Sequence, residues 1–428
     1  MAVTGLPRIG RGDGPMIGIS VGHAMTHWYP GAFVVMLPFF ASDLGLSLTE
    51  VGILVGLRSL TSTLVNLPGG MIVDLVGRRK LVMILAIAWA GIPYLFLGLT
   101  QNFLIIAAFM AIVGVGNLFY HPAALSTLSE LYPTRRGFAT AMHSLGASIG
   151  DTIAPFVAGL ALTWMSWRQL SVVNAIPGLV MSAIFWYAMR GIQLHRVGEV
   201  AKLSARAYLR GAYGLFRDPD MLKIAVLGGA RSMSQSGLQT FLPIYLASSL
   251  GLSAALVGGY MAVVQGAGII SGPLSGSLSD RIGRRPLIAA GMVSSSVLLI
   301  GLMALRIEWL FVLILALIGF FLYSTQPVLN AWALDIAPPE LGGTSIGILF
   351  ASQSLLGGLA PVIGGVLADR YGLEAAFYFV AATVLAANLI IVTIRDDRGA
   401  HQQTGGLGPS DGAPVGAEAE SPAADRAV

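Results

Sequence analysis

The sequence predicts an all-α membrane protein with twelve spanning helices in two similar halves, and three observations lead to that fold class. Of the 428 residues, 55% are hydrophobic and only 11% are charged, whereas a soluble domain carries about 25% charged residues. Long apolar runs recur along the chain, and the two halves repeat each other's motifs. The shortage of charge excludes a cytosolic enzyme, a disordered scaffold and a nucleic-acid-binding protein.

Twelve apolar runs are long enough to cross a bilayer. A hydrocarbon core of ~30 Å requires about 20 apolar residues per helix. The predicted spans, numbered 1 to 12 in chain order, are 16–41, 48–74, 81–99, 103–131, 137–164, 170–190, 222–250, 254–279, 286–305, 308–334, 342–369 and 374–394.

The spans divide the chain into four regions. Residues 1–190 and 222–394 hold six spans each, so each is predicted to form a six-helix bundle, with 191–221 as a loop between them. After residue 394 the composition changes to Gly, Ala, Pro, Asp and Glu with few large apolar residues. Because such a segment cannot bury enough apolar surface to fold, 395–428 is predicted to be a disordered tail.

Basic residues predict the orientation, because Lys and Arg accumulate in cytoplasmic loops. The loops on one side carry only Arg168, Arg306 and Arg370. The other side carries nineteen basic residues: Arg8, Arg11, Arg78, Arg79, Lys80, Arg135, Arg136, Arg190, Arg196, Lys202, Arg206, Arg210, Arg217, Lys223, Arg281, Arg284, Arg285, Arg395 and Arg398. Both termini and the central loop are therefore predicted to lie in the cytoplasm, with the spans in a bacterial-type inner membrane.

An internal repeat relates the two halves at an offset of 205 or 206 residues. The repeated segments include Leu44-Gly45-Leu46-Ser47 with Leu250-Gly251-Leu252-Ser253, Ala154-Pro155 with Ala360-Pro361, and Glu130 with Asp335. An even number of spans per half gives both halves the same topology. The repeat predicts two parallel bundles related by an axis along the membrane normal, with a binding site between them.

A charged motif in the same loop of each half resembles a family signature. The two copies are Gly70-x3-Asp74-x2-Gly77-Arg78-Arg79 and Gly276-x3-Asp280-Arg281-x-Gly283-Arg284-Arg285. Both are similar to the loop signature of the major facilitator superfamily of secondary transporters, although Leu75 stands where a basic residue is usual. The resemblance implies that the motif residues form a conformational latch, and that spans 1, 4, 7 and 10 line a central cavity.

Two shorter motifs are similar to efflux groups within this superfamily. Gly150-x3-Ala154-Pro155-x2-Ala158-Gly159 in span 5 resembles the Gly-Pro motif of drug/proton antiporters, with Ala in place of two glycines. Tyr120-His121-Pro122 in span 4 resembles the fosmidomycin-resistance group. These resemblances imply export of a small organic compound.

Four spans carry polar side chains at helical spacing, where residues four apart share a face. They are His23 and His27 in span 1, Asn117 and His121 in span 4, Arg231, Gln235 and Gln239 in span 7, and Tyr323, Gln326 and Asn330 in span 10. Interhelical hydrogen bonding is the alternative explanation for any one residue. Four stripes together favour a shared aqueous cavity, because polar groups inside a membrane are costly unless they face water or a partner.

The deeply placed ionisable residues predict the chemistry of that cavity. Asp151 in span 5 is either a proton carrier or the counter-ion of a buried arginine, and the predicted coupling set is Asp151 with His27 and His23. Arg231 and Arg58 have forked donors that suit carboxylate or phosphate-like groups. We assign both arginines to substrate binding, together with the other polar stripe residues; a structural ion pair is the alternative for each.

No cofactor is predicted. The chain has no cysteine, and the His23–His27 pair has no acidic neighbour in sequence, so no metal ion is expected. Because no Gly-x4-Gly-Lys-Ser/Thr loop is present, an ion gradient is a more plausible energy source than ATP. The predicted partners are a small-molecule substrate, protons and the lipid bilayer, without nucleic acid, and the protein is expected to act as a monomer.

The sequence therefore predicts a transporter and not an enzyme. The leading hypothesis is proton-coupled export of a small organic compound, amphipathic or anionic, by rocking of the two bundles around a central site. The first alternative is a proton symporter that imports an organic anion. The second alternative is a membrane sensor that keeps the fold without transporting.

Overall fold

The computed structural model describes residues 10–76, 78–116, 119–192, 194, 205–304, 308–338 and 341–394, and these residues form helices joined by short turns. The helices are α1 Gly14–Leu44, α2 Leu48–Val76, α3 Arg79–Leu97, α4 Phe103–Gly116, α5 Tyr120–Leu131, α6 Arg136–Ala161, α7 Trp167–Met189, α8 Ala205–Arg217, α9 Pro219–Ile244, α10 Ala254–Ile282, α11 Arg284–Ala304, α12 Glu308–Ile336, α13 Gly342–Tyr371 and α14 Glu374–Ile391. A π-helical turn, Tyr245–Ser249, extends α9.

The predicted spans correspond to these helices, with α4 and α5 together forming span 4. Nine helical segments of the described chain are long and apolar enough to cross a membrane. The helices of spans 1, 2 and 7 (α1, α2 and α9) are not among these nine. These three helices carry His23, His27, Arg58 and Arg231, which lower their hydropathy.

The predicted central loop contains a helix that the sequence analysis did not anticipate. α8 buries Leu215 and leaves Tyr213 and Phe216 exposed, so it is amphipathic and too short to span. α9 begins at Pro219, three residues before predicted span 7. Its start is set by Asp218, whose carboxylate accepts hydrogen bonds from the backbone N–H groups of the first turn at 2.8 and 2.9 Å, as an N-cap does.

The sequence repeat appears as a repeat of backbone geometry. α1 ends at Leu44 and is followed by Gly45 with φ 61°, and the equivalent turn after span 7 contains Gly251 with φ 65°. Glycine adopts this left-handed conformation without the steric cost of a Cβ. The shared turn places the start of α2 and the start of α10 equivalently in the two halves.

The helices form two bundles. In the first half α1 packs against α6 and α3 against α7, and in the second half α9 packs against α13 and α10 against α12. The two halves meet where α2 packs against α13 and where α6 packs against α10. We call the end that carries the Arg-rich loops the basic end, and the other the opposite end.

The apolar core differs between these two ends. At the opposite end one cluster runs through both halves and includes Phe33 of α1 and Leu242 of α9. At the basic end each half has its own cluster, one around Tyr120 and one around Ile224. The halves are therefore joined at the opposite end and separate at the basic end.

Candidate transport site

A cavity of ≈ 730 Å³ lies between the two halves, which is large enough for a small organic molecule. Its walls come from α6, α9, α10, α12 and α13, from the parts of these helices nearer the basic end. The lining residues are Ala141, Ser144, Leu145, Ser148, Asp151, Arg231, Ser232, Gln235, Gln265, Gly268, Ile269, Gly272, Pro273, Gly276, Tyr323, Gln326, Pro327, Asn330, Phe350 and Gln353.

Arg231 is a buried cation in the wall of this cavity, with 4% of its surface exposed. Its Nε donates hydrogen bonds to the Leu322 carbonyl and the Thr325 hydroxyl, both at 3.2 Å. Its Nη1 donates to Gln326 Oε1 at 2.6 Å. These partners are neutral, and no carboxylate in the described part of the chain forms an ion pair with Arg231. Because a buried charge is costly without a counter-charge, this position favours an anion in the cavity.

Polar side chains beside Arg231 form a hydrogen-bond network of two separate parts across three helices. Gln326 Nε2 donates to Asn330 Oδ1 at 2.8 Å on α12. The Tyr323 hydroxyl accepts a hydrogen bond from Gln239 Nε2 at 3.1 Å and donates to Gln265 Oε1. The network holds these side chains in fixed orientations, so the cavity presents preset hydrogen-bonding groups.

Asp151 and His27 form the acidic part of the site. His27 Nδ1 lies 3.0 Å from Asp151 Oδ2, and the two side chains are 29% and 27% exposed. They meet because α1 and α6 approach closely. A Cβ at Gly146 or Gly150 of α6 would overlap the backbone of α1, so only glycine permits this distance. Asp151 therefore pairs with a histidine, and not with either deep arginine.

Arg58 lies in a second, smaller cavity of ≈ 230 Å³. Its neighbours there are serines and glutamines of α2, α9 and α13, including Gln239, and its Nε has no hydrogen-bond partner among the described residues. Ser232, Gln235 and Gln353 line both cavities. The smaller cavity therefore adjoins the larger one and brings a second guanidinium toward it.

The cavity wall differs from the set of spans that the family resemblance implied. Spans 7 and 10 contribute as expected, but spans 5, 8 and 11 line the cavity, and His23 and His121 of spans 1 and 4 do not. His23 instead contacts His121 and His143 inside the first half. Helix rotation decides which face meets the cavity, and spacing along one helix does not reveal it. Asn117 lies outside the described residues.

Two wall residues, Gln265 and Gln353, were missed from the sequence. Each is a single amide in a long apolar helix, so neither belongs to a polar stripe with a four-residue repeat. Their isolation in the membrane was the available signal, since intramembrane polar groups tend to be functional.

The loop motifs make ion pairs within each half. Arg79 Nη1 lies 2.6 Å from Glu130 Oε2. In the second half Arg284, at the motif position of Arg78, has its Nε 3.2 Å from Asp335 Oδ2 and its Nη1 2.5 Å from Asp280 Oδ1. The Gly77 position and the Asp74 side chain lie outside the described set. In this conformation the described motif residues do not bridge the two halves.

The opposite end is closed by backbone contact between the halves. A Cβ at Gly52 of α2 would overlap Pro361 of α13, and a Cβ at Gly258 of α10 would overlap Pro155 of α6. Asp369 of α13 also accepts hydrogen bonds across this contact, from the N–H groups of Leu48 and Thr49, both at 2.9 Å. The cavity is therefore separated from the opposite end.

This arrangement of two similar bundles around one central cavity is that of a secondary transporter. The family model of the Major Facilitator Superfamily matches residues 19–361 and 224–417. The chain belongs to this superfamily.

Curated relatives at low identity cover most of the chain. A probable sulfoacetate transporter of Cupriavidus necator is 25% identical over 79% of this chain and 83% of its own. The cis,cis-muconate transport protein of Acinetobacter baylyi is 25% identical over 84% and 89%. The fosmidomycin resistance protein of Escherichia coli is 23% identical over 89% and 92%. Family and relatives are transporters of small organic compounds and not enzymes.

A solved structure shares the fold. A bacterial homologue of the human lysosomal transporter Spinster, in its inward-facing and unoccupied conformation, matches with a TM-score of 0.72 at 16% identity. The match covers 91% of this chain and 96% of that one. The all-helical, two-bundle fold predicted from the sequence is thereby confirmed.

Proposed function

We propose that this protein is a proton-coupled symporter of a small organic anion, working as a monomer by alternating access. The proposal rests on Arg231, a buried guanidinium on the cavity wall whose hydrogen-bond partners are all neutral. An anionic substrate group would supply the missing counter-charge. Two of the relatives described above carry the names of organic-anion transporters, sulfoacetate and muconate, which supports this substrate class.

Proton coupling follows from the charges that share the cavity. Asp151 and Arg231 both line it, so a bound anion adds negative charge near the Asp151–His27 pair. Negative charge nearby favours the protonated form of a carboxylate. Anion and proton binding therefore assist each other, as in symport, whereas antiport requires that they compete.

The closed opposite end indicates which side of the membrane the cavity faces in this conformation. With the basic end in the cytoplasm of a bacterial-type inner membrane, the closed opposite end makes this state inward-facing. We assign the switch to rocking of the two bundles formed by 1–190 and 222–394. The loop motifs would meet across the halves only when the basic end closes.

Proton-driven export is the second candidate. The fosmidomycin resistance protein and the multidrug resistance protein MdtG are relatives whose names denote drug resistance. In an exporter the Asp151–His27 pair would release its proton when substrate binds, so proton and substrate would move in opposite directions.

Proteoliposomes loaded with a pH-sensitive dye distinguish these candidates. Sulfoacetate, cis,cis-muconate and glucuronate serve as radiolabelled probes, with an imposed pH gradient of either sign. Symport moves protons in the same direction as the anion, and antiport moves them in the other direction. Asp151→Asn should abolish gradient-driven accumulation while leaving exchange of anion for anion.

Arg231 variants test the substrate class in the same assay. Arg231→Gln should raise the anion KM about 10- to 150-fold, because a hydrogen bond to a charged group contributes about 1.5–3 kcal/mol. Arg231→Lys keeps the charge without the fork and should give an intermediate KM. An unchanged KM in Arg231→Gln, or transport of none of the three anions, would contradict the proposal.

A further inference from the structure

Three histidines from three helices of the first half form a cluster outside the cavity. His23 of α1, His121 of α5 and His143 of α6 each offer a ring nitrogen, and these nitrogens lie within 4.8 Å of one another. The ring centroids are 3.7 Å apart for His23 and His143 and 4.6 Å apart for His23 and His121. His23 lies 98 positions before His121 and 120 positions before His143 in sequence, so only the fold brings it to them.

The hydrogen bonds of the cluster leave lone pairs unused. His23 Nδ1 lies 2.7 Å from the carbonyl oxygen of His143. A carbonyl can only accept, so His23 Nδ1 carries the proton and Nε2 is left with a lone pair. His23 Nε2 and both ring nitrogens of His143 are buried without a hydrogen-bond partner in the described part of the protein. Buried polar atoms are rarely left unsatisfied, so this cluster lacks a partner.

Protons are a poor partner for the cluster. The rings of His23 and His143 are stacked at 3.7 Å with an interplanar angle of 4°, so two imidazolium rings here would repel each other strongly. One divalent cation can satisfy several imidazole lone pairs at once. Neutral imidazole is a common ligand for zinc, copper and nickel.

We propose that His23, His121 and His143 bind one divalent transition-metal ion of the zinc type. Three histidines with an open fourth position are an established zinc ligand set. The hydrogen bond from His23 Nδ1 to a backbone carbonyl is the orienting contact that metal-bound histidines usually make. His121, the most exposed of the three, gives the ion access.

Binding requires the stack of His23 and His143 to open. Zn–N distances of ~2.0–2.1 Å in a tetrahedral site place two ligand nitrogens about 3.3 Å apart and the ring centroids about 5 Å apart. Because the ion lies in the plane of each ligand ring, the His143 ring must turn out of its parallel stack on His23, where the centroids are 3.7 Å apart. All three helices belong to the first half, so the bound ion would stabilise that half without linking it to the other.

Metal titration of the purified protein tests the proposal without any transport assay. The chain has no cysteine, so thiolates cannot compete for the ion. Co²⁺ is followed by its visible ligand-field absorption, and Zn²⁺ by competition with a chromophoric chelator. We expect one ion per chain, and at least tenfold weaker binding in each of His23→Asn, His121→Asn and His143→Asn.

His195 and His401, which fall outside the spans predicted from the sequence, provide the matched control. His195→Asn combined with His401→Asn should bind the ion with wild-type affinity. Size-exclusion profiles of all variants establish that they fold. The proposal is wrong if the wild type binds no stoichiometric ion, or if single cluster variants bind as tightly as wild type. It is equally wrong if the control variant loses the ion.

Discussion

The two ends of this molecule hold its halves in different ways. At the opposite end the backbones of α2 and α13, and of α6 and α10, touch at glycine positions. At the basic end the charged side chains pair within each half, and a cavity separates the helices. Contact between backbones depends on the close fit of two helix surfaces, whereas the ion pairs at the basic end depend only on opposite charges that lie near each other within one half. Closure of one end and opening of the other therefore depend on different physical terms.

Adjacent glycines of α10 provide the strongest test of closure by backbone contact. A Cβ at Gly258 would overlap the carbonyl of Pro155, whereas a Cβ at Gly259 has no atom within 4 Å. Overpacking costs about 1–3 kcal/mol, so Gly258→Ala should shift the equilibrium away from the closed opposite end about 5- to 150-fold.

A single cysteine reports this shift, because the chain has none of its own. Ser148→Cys on the cavity wall is labelled from the basic end by a membrane-impermeant maleimide. Gly258→Ala should slow the labelling, and Gly259→Ala should leave it unchanged. Equal labelling in the two variants would show that backbone contact does not hold the opposite end closed.

Asp369 provides the second test, because it is a polar contact between halves at the closed end. Its carboxylate caps the start of α2 and also accepts from the Thr49 hydroxyl at 2.5 Å. Replacing an N-cap by Ala costs about 0.5–2 kcal/mol, so Asp369→Ala should slow Ser148→Cys labelling about 2- to 30-fold.

Thr49→Val is the graded control for Asp369. It removes one of the three hydrogen bonds and keeps the other two, so its effect should be smaller than that of Asp369→Ala. Labelling that is slower in Thr49→Val than in Asp369→Ala would contradict the capping role.

The ion pairs Arg79–Glu130 and Arg284–Asp335 at the basic end should behave differently from Asp369. Glu130→Gln should lower the free energy of unfolding by about 1 kcal/mol, because Arg79 is buried, and Asp335→Asn by only about 0.2 kcal/mol, because that pair is more exposed. SDS titration of the purified protein measures both values. Since the pairs lie within halves, neither variant should change Ser148→Cys labelling, and a change would show that they act between halves.

Acid titration of Asp13 should give the smallest effect. The Gly10 N–H, which donates to this carboxylate, and the Arg135 guanidinium lower the pKa of Asp13 from its ordinary value of 3.8. Its contribution to stability is therefore complete above pH 3.8 and is lost as the pH falls through the lowered pKa. Thermal melts of wild type should fall more steeply below pH 4 than those of Asp13→Asn, and parallel curves would contradict this.

Much of the fold could be predicted because its signals are local. Apolar runs predicted the helices. The 205-residue offset linked Glu130 to Asp335, and each of these carboxylates pairs with a motif arginine of its own half, Arg79 or Arg284. The helix α8 was missed because its amphipathic period lies in a short, charged segment that resembles a loop.

The site was less accessible to sequence reasoning. Arg231 and Asp151 could be identified because a charged side chain inside a membrane is energetically costly, and that cost follows from the depth of the residue within its predicted span. Gln265 and the role of His143 were missed because each depends on which face of one helix meets another. Neither contact leaves a periodic pattern in its own helix.

The sequence by itself determined that the chain crosses a membrane in two repeated halves, since hydropathy and repeats are properties of neighbouring residues. Only the tertiary structure decided which end is closed, that Arg231 has neutral partners, and that three distant histidines meet. These outcomes depend on the rotation of each helix and on backbone approach at glycines such as Gly258. They are interactions between helices, and such interactions are set by packing across the whole bundle.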